Sequence, residues 1–339
     1  MDQRTDAASP ALPARMTAWK QHRYGGPEAV AAERVPVPDP GRGEVLLAVR
    51  AVSLNSADVH LMRGDPLFVR LMFGLRQPKN AVRGMDVAGT VVAVGDAVTG
   101  FTIGDEVVGE LPGGGLAPYA IAPVARLVSR PAGVDAIAAA CLPIAAGTAH
   151  QALAAAAAPE GGRILVIGAS GGVGTFAVQL AVDRGLEVWA LTGARSVELV
   201  TGLGATRVFD YRSVQPGASD LPADSFDAVI DIAGTAPLRA LQRLVRGGGK
   251  VVLVAGEGGR VLGPVGRMLR AAVLSIGSRR GIRPLAATAK PAMLTELLSL
   301  VAAARISPVI ERTFPLSDAL AALEHVDEGH TVGKVVVVA

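Results

Sequence analysis

The sequence predicts an α/β protein in two parts, one β-rich and the other a doubly wound parallel sheet. Three observations support this. The 339 residues exceed the length of one ordinary domain, hydrophobic residues make up 50% of the chain against 19% charged, and the hydrophobic pattern changes near Pro131. A chain of this length and composition has enough apolar side chains for two cores.

The part before Pro131 contains short apolar segments that are separated by turn residues, such as those at 40–43 and 104–105. No regular alternation of strand and helix occurs here, which favours a rolled, mostly antiparallel body. The predicted strands are Glu44–Leu54, Val87–Val94, Glu106–Leu111 and Tyr119–Pro123.

The part after Pro131 begins with an alanine-rich stretch, Asp135–Ala158, that predicts one or two helices with a joint at Pro143. Strands and helices then alternate, and strands as apolar as Ile164–Ile167 suit a parallel sheet covered on both faces. The predicted strands are Arg163–Gly168, Glu187–Leu191, Arg207–Phe209, Phe226–Ile232, Lys250–Val254 and Lys334–Val338, and the helices are Gly172–Arg184, Ser196–Leu203, Pro237–Val245, Lys290–Arg305 and Ser317–Asp327.

These elements divide the chain into a disordered tail at residues 1–15, a β-rich domain at 16–140 and 286–339, and a nucleotide-binding domain at 141–285 that is inserted into it. The tail has no apolar run of the kind found in signal peptides, so we expect a cytoplasmic protein. No stretch reaches the ~18 apolar residues of a membrane span, so we expect no stable membrane insertion.

The composition excludes several classes of protein. The net charge is only +3, aromatic residues are 4% and no basic block is present, so nucleic acid is a disfavoured partner. The single cysteine, Cys141, permits neither an internal disulfide nor a zinc site built from cysteines.

The strongest chemical signal is a glycine-rich turn, Gly168–Gly174, which follows a buried strand and opens a helix. Glycines allow the backbone to approach a pyrophosphate, whose charge the free N–H groups of the helix stabilise. The turn therefore predicts a Rossmann-type dinucleotide site, with Ser170, Gly171, Gly172, Val173 and Gly174 as contacts.

The residues after the second strand of this unit indicate the cofactor. NAD-binding proteins carry a carboxylate there, whereas this chain has no acidic residue before Glu198. Arg195 and Ser196 offer a cation and a hydroxyl that suit a 2′-phosphate, although Arg195 could simply face solvent. The sequence favours NADPH.

The chain resembles the medium-chain dehydrogenase/reductase superfamily, in its zinc-independent quinone oxidoreductase-like branch. The resemblance covers nearly everything from Thr17 to Ala339. The segments that match occur in order; they are 22–27, 52–58, 84–89, 104–107, 169–174, 204–205, 210–212 and 333–336. The resemblance implies a GroES-like catalytic domain, a Rossmann domain, a cleft between them and a homodimer.

Several site residues follow from the resemblance alone. Zinc-dependent relatives have a catalytic cysteine where this chain has Asn55, and a His-Glu pair where it has Met85-Asp86, so we expect no zinc. Tyr211 stands where similar NADPH-dependent reductases place a tyrosine against the 2′-phosphate. The remaining positions expected to line the cofactor are Thr192, Ala233, Ala255 and Gly256.

Asn55 is expected to line the nicotinamide end of the cleft. Asp58 follows it, with a role in catalysis or in holding the loop together. His60 could donate a proton after hydride addition, since its pKa in the free amino acid lies near neutrality, or it could be a solvated surface residue.

An apolar run after this loop gives Phe68, Met72 and Phe73 as walls of a substrate pocket, with packing between domains as the alternative. The function expected is NADPH-dependent hydride transfer to a quinone or to the C=C bond of an electron-poor enone. A zinc-free alcohol or ketone dehydrogenase and a non-catalytic, crystallin-like NADPH-binding protein remain as alternatives.

Overall fold

The computed structural model describes residues 12–254, 263 and 265–339. Most of the predicted tail, together with Ala255 and Gly256, lies outside the described residues. In chain order the strands are β1 (Arg15–Gln21), β2 (Val30–Pro36), β3 (Glu44–Leu54), β4 (Asp86–Val94), β5 (Glu106–Glu110), β6 (Tyr119–Pro123), β7 (Leu127–Ser129), β8 (Arg163–Ile167), β9 (Glu187–Thr192), β10 (Arg207–Asp210), β11 (Phe226–Asp231), β12 (Val245–Leu253), β13 (Gly281–Pro284), β14 (Ile310–Pro315) and β15 (Lys334–Val338).

The helices connect these strands, and a short π-helical segment, Leu142–Ala146, occurs where the sequence predicts a joint at Pro143. Within the described ranges, none of the helices is both long enough and apolar enough to cross a bilayer. The α-helices are α1 (Ser56–Arg63), α2 (Val69–Phe73), α3 (Ala136–Ala140), α4 (Gly147–Ala156), α5 (Gly172–Asp183), α6 (Val197–Gly202), α7 (Leu238–Leu244), α8 (Val265–Ser275), α9 (Pro291–Ala302) and α10 (Ala319–Asp327).

The first sheet belongs to the β-rich part and draws strands from both ends of the chain. Its order is β14-β15-β3-β4-β5-β7, with β6 also paired to β3, and every pairing except β14 with β15 is antiparallel. The hairpin of β1 and β2 forms a separate two-stranded sheet. The β-rich part is therefore rolled and mostly antiparallel, as the sequence predicts.

The second sheet is fully parallel, with the order β10-β9-β8-β11-β12-β13. This is the doubly wound arrangement, in which the strand order reverses beside β8 and places a ligand crevice at the carboxyl ends of β8 and β11. The predicted fold class is confirmed. The residue pattern did not predict β7, β13, β14, α1, α2, α8 or the hairpin of β1 and β2.

The two parts share a hydrophobic core. One cluster of buried side chains joins α3, α4 and α5 to the parallel sheet, and it continues into the β-rich part through Ala51, Ala88 and Val336. A second cluster, which includes Trp189 and Phe226, covers the opposite face of the parallel sheet. Continuous burial of this kind fixes the relative position of the two parts, so the residues facing each other across the crevice are held in a defined geometry.

The strands pass from the first sheet to the second between β7 and β8, and back again between β13 and β14. The predicted boundaries at residues 140 and 286 fall within these two connections, 130–162 and 285–309. Strand β1 begins at Arg15, so it overlaps the predicted tail by one residue.

Candidate functional site

The glycine-rich turn connects β8 to α5 and opens the crevice. Gly168 has φ of +86°, a conformation that favours glycine, and Gly171 is the N-cap residue of α5. Within the described chain, no hydrogen-bond acceptor is recorded for the backbone N–H groups of Gly172, Val173 or Gly174. Three N–H groups at a helix start form a site for a phosphate.

Gly174 allows the helix to lie against the strand that precedes it. A Cβ atom placed on Gly174 would lie 2.1 Å from the carbonyl oxygen of Gly168 and 2.7 Å from Cα of Ala169, both backbone atoms. The loop after β11 lies beside the same turn, because a Cβ atom on Gly168 would be 3.2 Å from the amide nitrogen of Ala233. The predicted contacts 170–174 and Ala233 are therefore neighbours in space.

The carboxyl end of β9 carries the residues predicted for the 2′-phosphate. Thr192 is buried, and its hydroxyl has no hydrogen-bond partner among the described residues. Arg195 is exposed, whereas Ser196 is only 3% exposed. An exposed guanidinium at the end of a strand suits an anionic ligand.

Two further side chains approach the same strand end from the segment after β10. A Cβ atom on Gly193 would lie 3.7 Å from Cε1 of Tyr211 and 3.8 Å from Nη1 of Arg212. The Arg212 guanidinium lies 4.9 Å from the centre of the Tyr211 ring. Arg212 belongs to one of the matching segments and had no predicted role, yet the structure brings it to this edge with Tyr211.

The C-terminal segment crosses to the cofactor side of the crevice. Arg195 donates a hydrogen bond through Nη2 to the carbonyl oxygen of His330. The amide of Gly333 donates to the carbonyl oxygen of Ser170 at 2.8 Å, and Gly171 and Gly333 form an isolated parallel bridge. The short segment 330–334 thus contacts both ends of the predicted dinucleotide site.

The predicted catalytic residue Asn55 lies at the start of α1 and is 8% exposed. Its amide nitrogen donates to Oδ2 of Asp86 at 3.0 Å, and its amide oxygen accepts a bond of 2.6 Å from Nζ of Lys334. Lys334 Nζ also donates to the carbonyl oxygen of Leu54 at 2.9 Å, and the backbone N–H of Ile144 donates to Asp86 Oδ2 at 3.1 Å. Both ends of the Asn55 amide are therefore bonded to protein groups.

Burial dominates the electrostatics of this network. Asp86 is fully buried and Lys334 is 2% exposed. Burial raises the pKa of the Asp86 carboxyl to about 8, although the Lys334 amine and the Asn55 amide act in the opposite direction. Burial likewise lowers the pKa of Lys334, opposed by Asp86. The two groups support each other's charge across the Asn55 amide.

Asp58 makes two hydrogen bonds that connect its loop to the rest of the β-rich part. It is 1% exposed and accepts hydrogen bonds from the backbone N–H groups of Asn55 and Gly84, each at 3.0 Å. The bond from Asn55 completes a capping box at the start of α1. Both carboxylate oxygens are consumed in joining α1 to the segment before β4.

The remaining predicted residues lie farther out. His60 is exposed on α1, and its Nδ1 is 3.0 Å from the carbonyl oxygen of Asp65, so the ring is engaged with its own loop. Phe68 lies at the junction of the two parts, since its Cε1 would be 3.2 Å from a Cβ atom on Gly263. Met72 is 65% exposed and Phe73 38% exposed. Of the three predicted pocket residues, only Phe68 is partly buried at the crevice.

A cavity of about 370 Å³ lies elsewhere, in the β-rich part beneath the hairpin of β1 and β2. Met16, Val35 and Tyr119 are among its lining residues, whereas none of the predicted site residues lines it. It is separate from the crevice that the glycine-rich turn opens.

The residues at the position of the zinc site do not fit a zinc ion. The Asn55 amide is fully bonded, and the Lys334 amine occupies the neighbourhood of its oxygen, where a metal cation would be repelled. Methionine and asparagine are also poor zinc ligands. In the part of the chain that the structure describes, no cluster of three histidine, cysteine or acidic side chains could hold a metal.

Lys334 is the main residue that sequence reasoning missed. Its segment, 333–336, is one of those that carry the resemblance, and the strand that Lys334 begins was predicted. The available signal was a lysine at the start of an apolar strand, because a cation at such a position is either buried or marks the boundary of the strand.

Comparison with known proteins agrees with this geometry. The profile described as alcohol dehydrogenase GroES-like domain matches residues 41–132, and the one described as zinc-binding dehydrogenase matches residues 203–337. The chloroplast envelope quinone oxidoreductase homolog of Arabidopsis thaliana is 36% identical, covering 95% of this chain and 98% of that protein. The NADPH-dependent alkenal/one oxidoreductase of the same plant is 32% identical, covering 97% of this chain and 81% of that protein.

Among solved structures, the quinone oxidoreductase from Coxiella burnetii superimposes with a TM-score of 0.83 at 27% identity. The match covers 96% of this chain and 99% of that one. The chain therefore belongs to the medium-chain dehydrogenase/reductase superfamily, in its quinone oxidoreductase-like branch.

Proposed function

We propose that this protein is an NADPH-dependent oxidoreductase that transfers hydride to a quinone or to the C=C bond of an electron-poor enone. The observation that carries the proposal is the phosphate-binding turn at 170–174, where no acceptor is recorded among the described residues for three backbone N–H groups. The segment 330–334 connects this turn to the buried Asn55 network. The names of the relatives, which include quinone and alkenal/one oxidoreductases, support the same reaction.

The residues of the chain have distinct tasks in this proposal. The turn holds the pyrophosphate, while Arg195 and Arg212, assisted by Ser196 and Tyr211, hold the 2′-phosphate. When bound, NADPH supplies the hydride. Asn55 lies at the inner end of the crevice, where its fixed amide shapes the floor of the nicotinamide site.

The substrate side is apolar. Phe68 lies at the crevice between the two parts, and we propose that it forms one wall of the pocket with the start of α8. Arg267 anchors α8 by donating to the buried Asp231 carboxylate at 2.8 Å, at the carboxyl end of β11. An apolar wall fits a flat, electron-poor substrate and helps to exclude water from the reacting atoms.

The direct test is a panel of quinones, enones, ketones and alcohols assayed through the absorbance of NADPH. We expect steady NADPH oxidation with at least one quinone or enone, and slower oxidation with NADH at equal concentration. Turnover confined to ketones or alcohols would support a zinc-free dehydrogenase instead. Tight NADPH binding with no turnover on the whole panel would support a non-catalytic binding protein.

A second expectation concerns metal. Because the Asn55 amide and the Lys334 amine fill the position of a zinc site, we expect activity to survive exhaustive chelation. The purified protein should contain far less than one zinc per chain by elemental analysis. One tightly bound zinc per chain, with activity lost on its removal and restored on its return, would contradict this assignment.

We further propose a homodimer formed through the edge of the parallel sheet. Among the described residues, strand β13 pairs only with β12, and the adjacent segment exposes Leu269 by 64%, Val273 by 66% and Ile276 by 80%. A second copy would cover both an open strand edge and an apolar face. Light scattering should then give about twice the 34.5 kDa of the chain, and a monomer at micromolar concentration would contradict the proposal.

A cytoplasmic location stays a prediction, since several relatives are chloroplastic or mitochondrial.

A further inference from the structure

Lys334 lies between the phosphate-binding turn and the active-site loop. Its backbone follows Gly333, whose amide bonds to the carbonyl oxygen of Ser170. Its side chain passes along the first turn of α5, because a Cβ atom on Gly172 would lie 2.9 Å from Lys334 Cδ. Its amine then reaches Leu54 and Asn55. One residue therefore contacts the start of the phosphate-binding helix and the start of α1.

The contacts of Lys334 are unusual for a lysine. The side chain is 2% exposed, and a buried amine requires compensation by hydrogen bonds or opposite charge. Leu54 and Asn55 accept from the amine, and Asp86 lies on the far side of the Asn55 amide. A methionine or leucine would fill the same space without this requirement, so packing alone does not account for a lysine here.

The hydrogen bond from Lys334 also fixes the orientation of Asn55. An asparagine amide can rotate by half a turn, which exchanges its oxygen and its nitrogen. With the Lys334 donor on one side and the Asp86 acceptor on the other, only one orientation makes both bonds. Asn55 caps α1 in the same loop, so its position also sets the position of that helix start.

We propose that Lys334 is a positioning residue that couples occupation of the phosphate-binding turn to the placement of Asn55. The inference rests on the proposed function, because the occupant of the turn is NADPH. A phosphate bound at the turn orders residues 170–174, which touch Gly333 and the Lys334 stem. The stem, held by the occupied turn, then keeps the amine against Asn55, so that cofactor binding stabilises the arrangement of the nicotinamide site.

The first test measures this coupling without turnover, by hydrogen–deuterium exchange with and without saturating NADPH. In the wild type, NADPH should slow exchange both in the turn, residues 168–178, and in the loop, residues 52–63. In Lys334→Met, we expect slowing in the turn alone. Lys290→Met, which removes an exposed lysine at the start of α9, is the matched control and should behave as the wild type.

The outcomes separate the two claims. The coupling would be overturned if NADPH slowed exchange in the loop of Lys334→Met as much as in the loop of the wild type. It would also be overturned if NADPH slowed exchange in the turn of the wild type but not in its loop. Absence of NADPH binding to the wild type would refute the proposed function and remove the basis of the coupling. Should Lys334→Met fail to fold, Asn55→Ala breaks the coupling at its other end and should show the same loss in residues 56–63.

The second test is a double-mutant cycle on the single-turnover rate of NADPH oxidation. Lys334→Met and Asn55→Ala should each slow this step by about tenfold or more, with NADPH affinity changed by less than about threefold. If Lys334 acts through Asn55, the double variant should be no slower than the slower single variant. The proposal would be overturned if the rate reductions of the two single variants multiplied in the double variant. It would also be overturned if Lys334→Met lowered the melting temperature without changing the rate, because that result would show a role in packing alone.

Discussion

Replacing Gly174 with Val should abolish NADPH binding while the protein remains folded. The new Cβ atom would lie 2.1 Å from the Gly168 carbonyl oxygen, and backbone atoms cannot move aside as a flexible side chain can. Helix α5 must shift away from β8, and the pyrophosphate then loses the N–H groups of the first turn. We expect affinity to fall by at least about 100-fold, or roughly 2.7 kcal/mol.

Titration of the variant with NADPH and its melting curve measure the two parts of this expectation. Gly202→Val is the matched control, because Gly202 also lies in a helix of the nucleotide-binding part and a Cβ atom there meets nothing within 4 Å. Its NADPH affinity should stay close to the wild type. If Gly174→Val also retained wild-type affinity in a folded protein, the dinucleotide site would have to lie elsewhere.

Replacing Arg195 with Ala should weaken NADPH much more than NADH. The 2′-phosphate is the only group that distinguishes the two cofactors, and the Arg195 guanidinium is exposed at the end of β9 where that phosphate is expected. A charge-assisted hydrogen bond contributes on the order of 1.5–3 kcal/mol, so the NADPH dissociation constant should rise roughly ten- to 100-fold. Arg212→Ala should act in the same direction, and the double variant should show the larger loss.

Dissociation constants for both cofactors measured on the same preparations test this expectation. Arg239→Ala provides the control, because Arg239 is exposed on α7 and no side-chain hydrogen bond is recorded for it within the described chain. It should leave both constants unchanged. An equal loss of NADPH and NADH affinity in Arg195→Ala would instead assign the residue to the domain contact with the His330 carbonyl.

The local part of the cofactor site could be read from the sequence. A buried strand, a glycine-rich turn and a helix are adjacent in the chain, so their residue pattern alone fixes their geometry. Strand β8 and helix α5 agree with the prediction to within one residue at each end. Arg195 was predicted from its position after the second strand, and Tyr211 from the resemblance. The structure brings Tyr211 and the neighbouring Arg212 close to Gly193.

The surroundings of the catalytic and pocket candidates depend on packing that the sequence does not show. His60, a candidate proton donor, and Met72, a candidate pocket residue, are exposed in the structure, because burial depends on which face of a short helix meets the rest of the protein. Asp58 was correctly placed next to Asn55, since both lie in one turn of the chain. The hydrogen bond that Asp58 accepts from the Gly84 amide could not be predicted from the sequence, because 26 residues separate the two.

The sequence by itself determined the fold class, the dinucleotide turn and the superfamily, because each depends on residues that are close in the chain or on motifs that occur in order. Only the tertiary structure decided what surrounds Asn55. Lys334 is 279 residues away, and it reaches Asn55 because β15 pairs with β3 in the first sheet. A long-range strand pairing of this kind leaves no local pattern, so the buried amine and the link it makes to the phosphate-binding turn appear only in the folded chain.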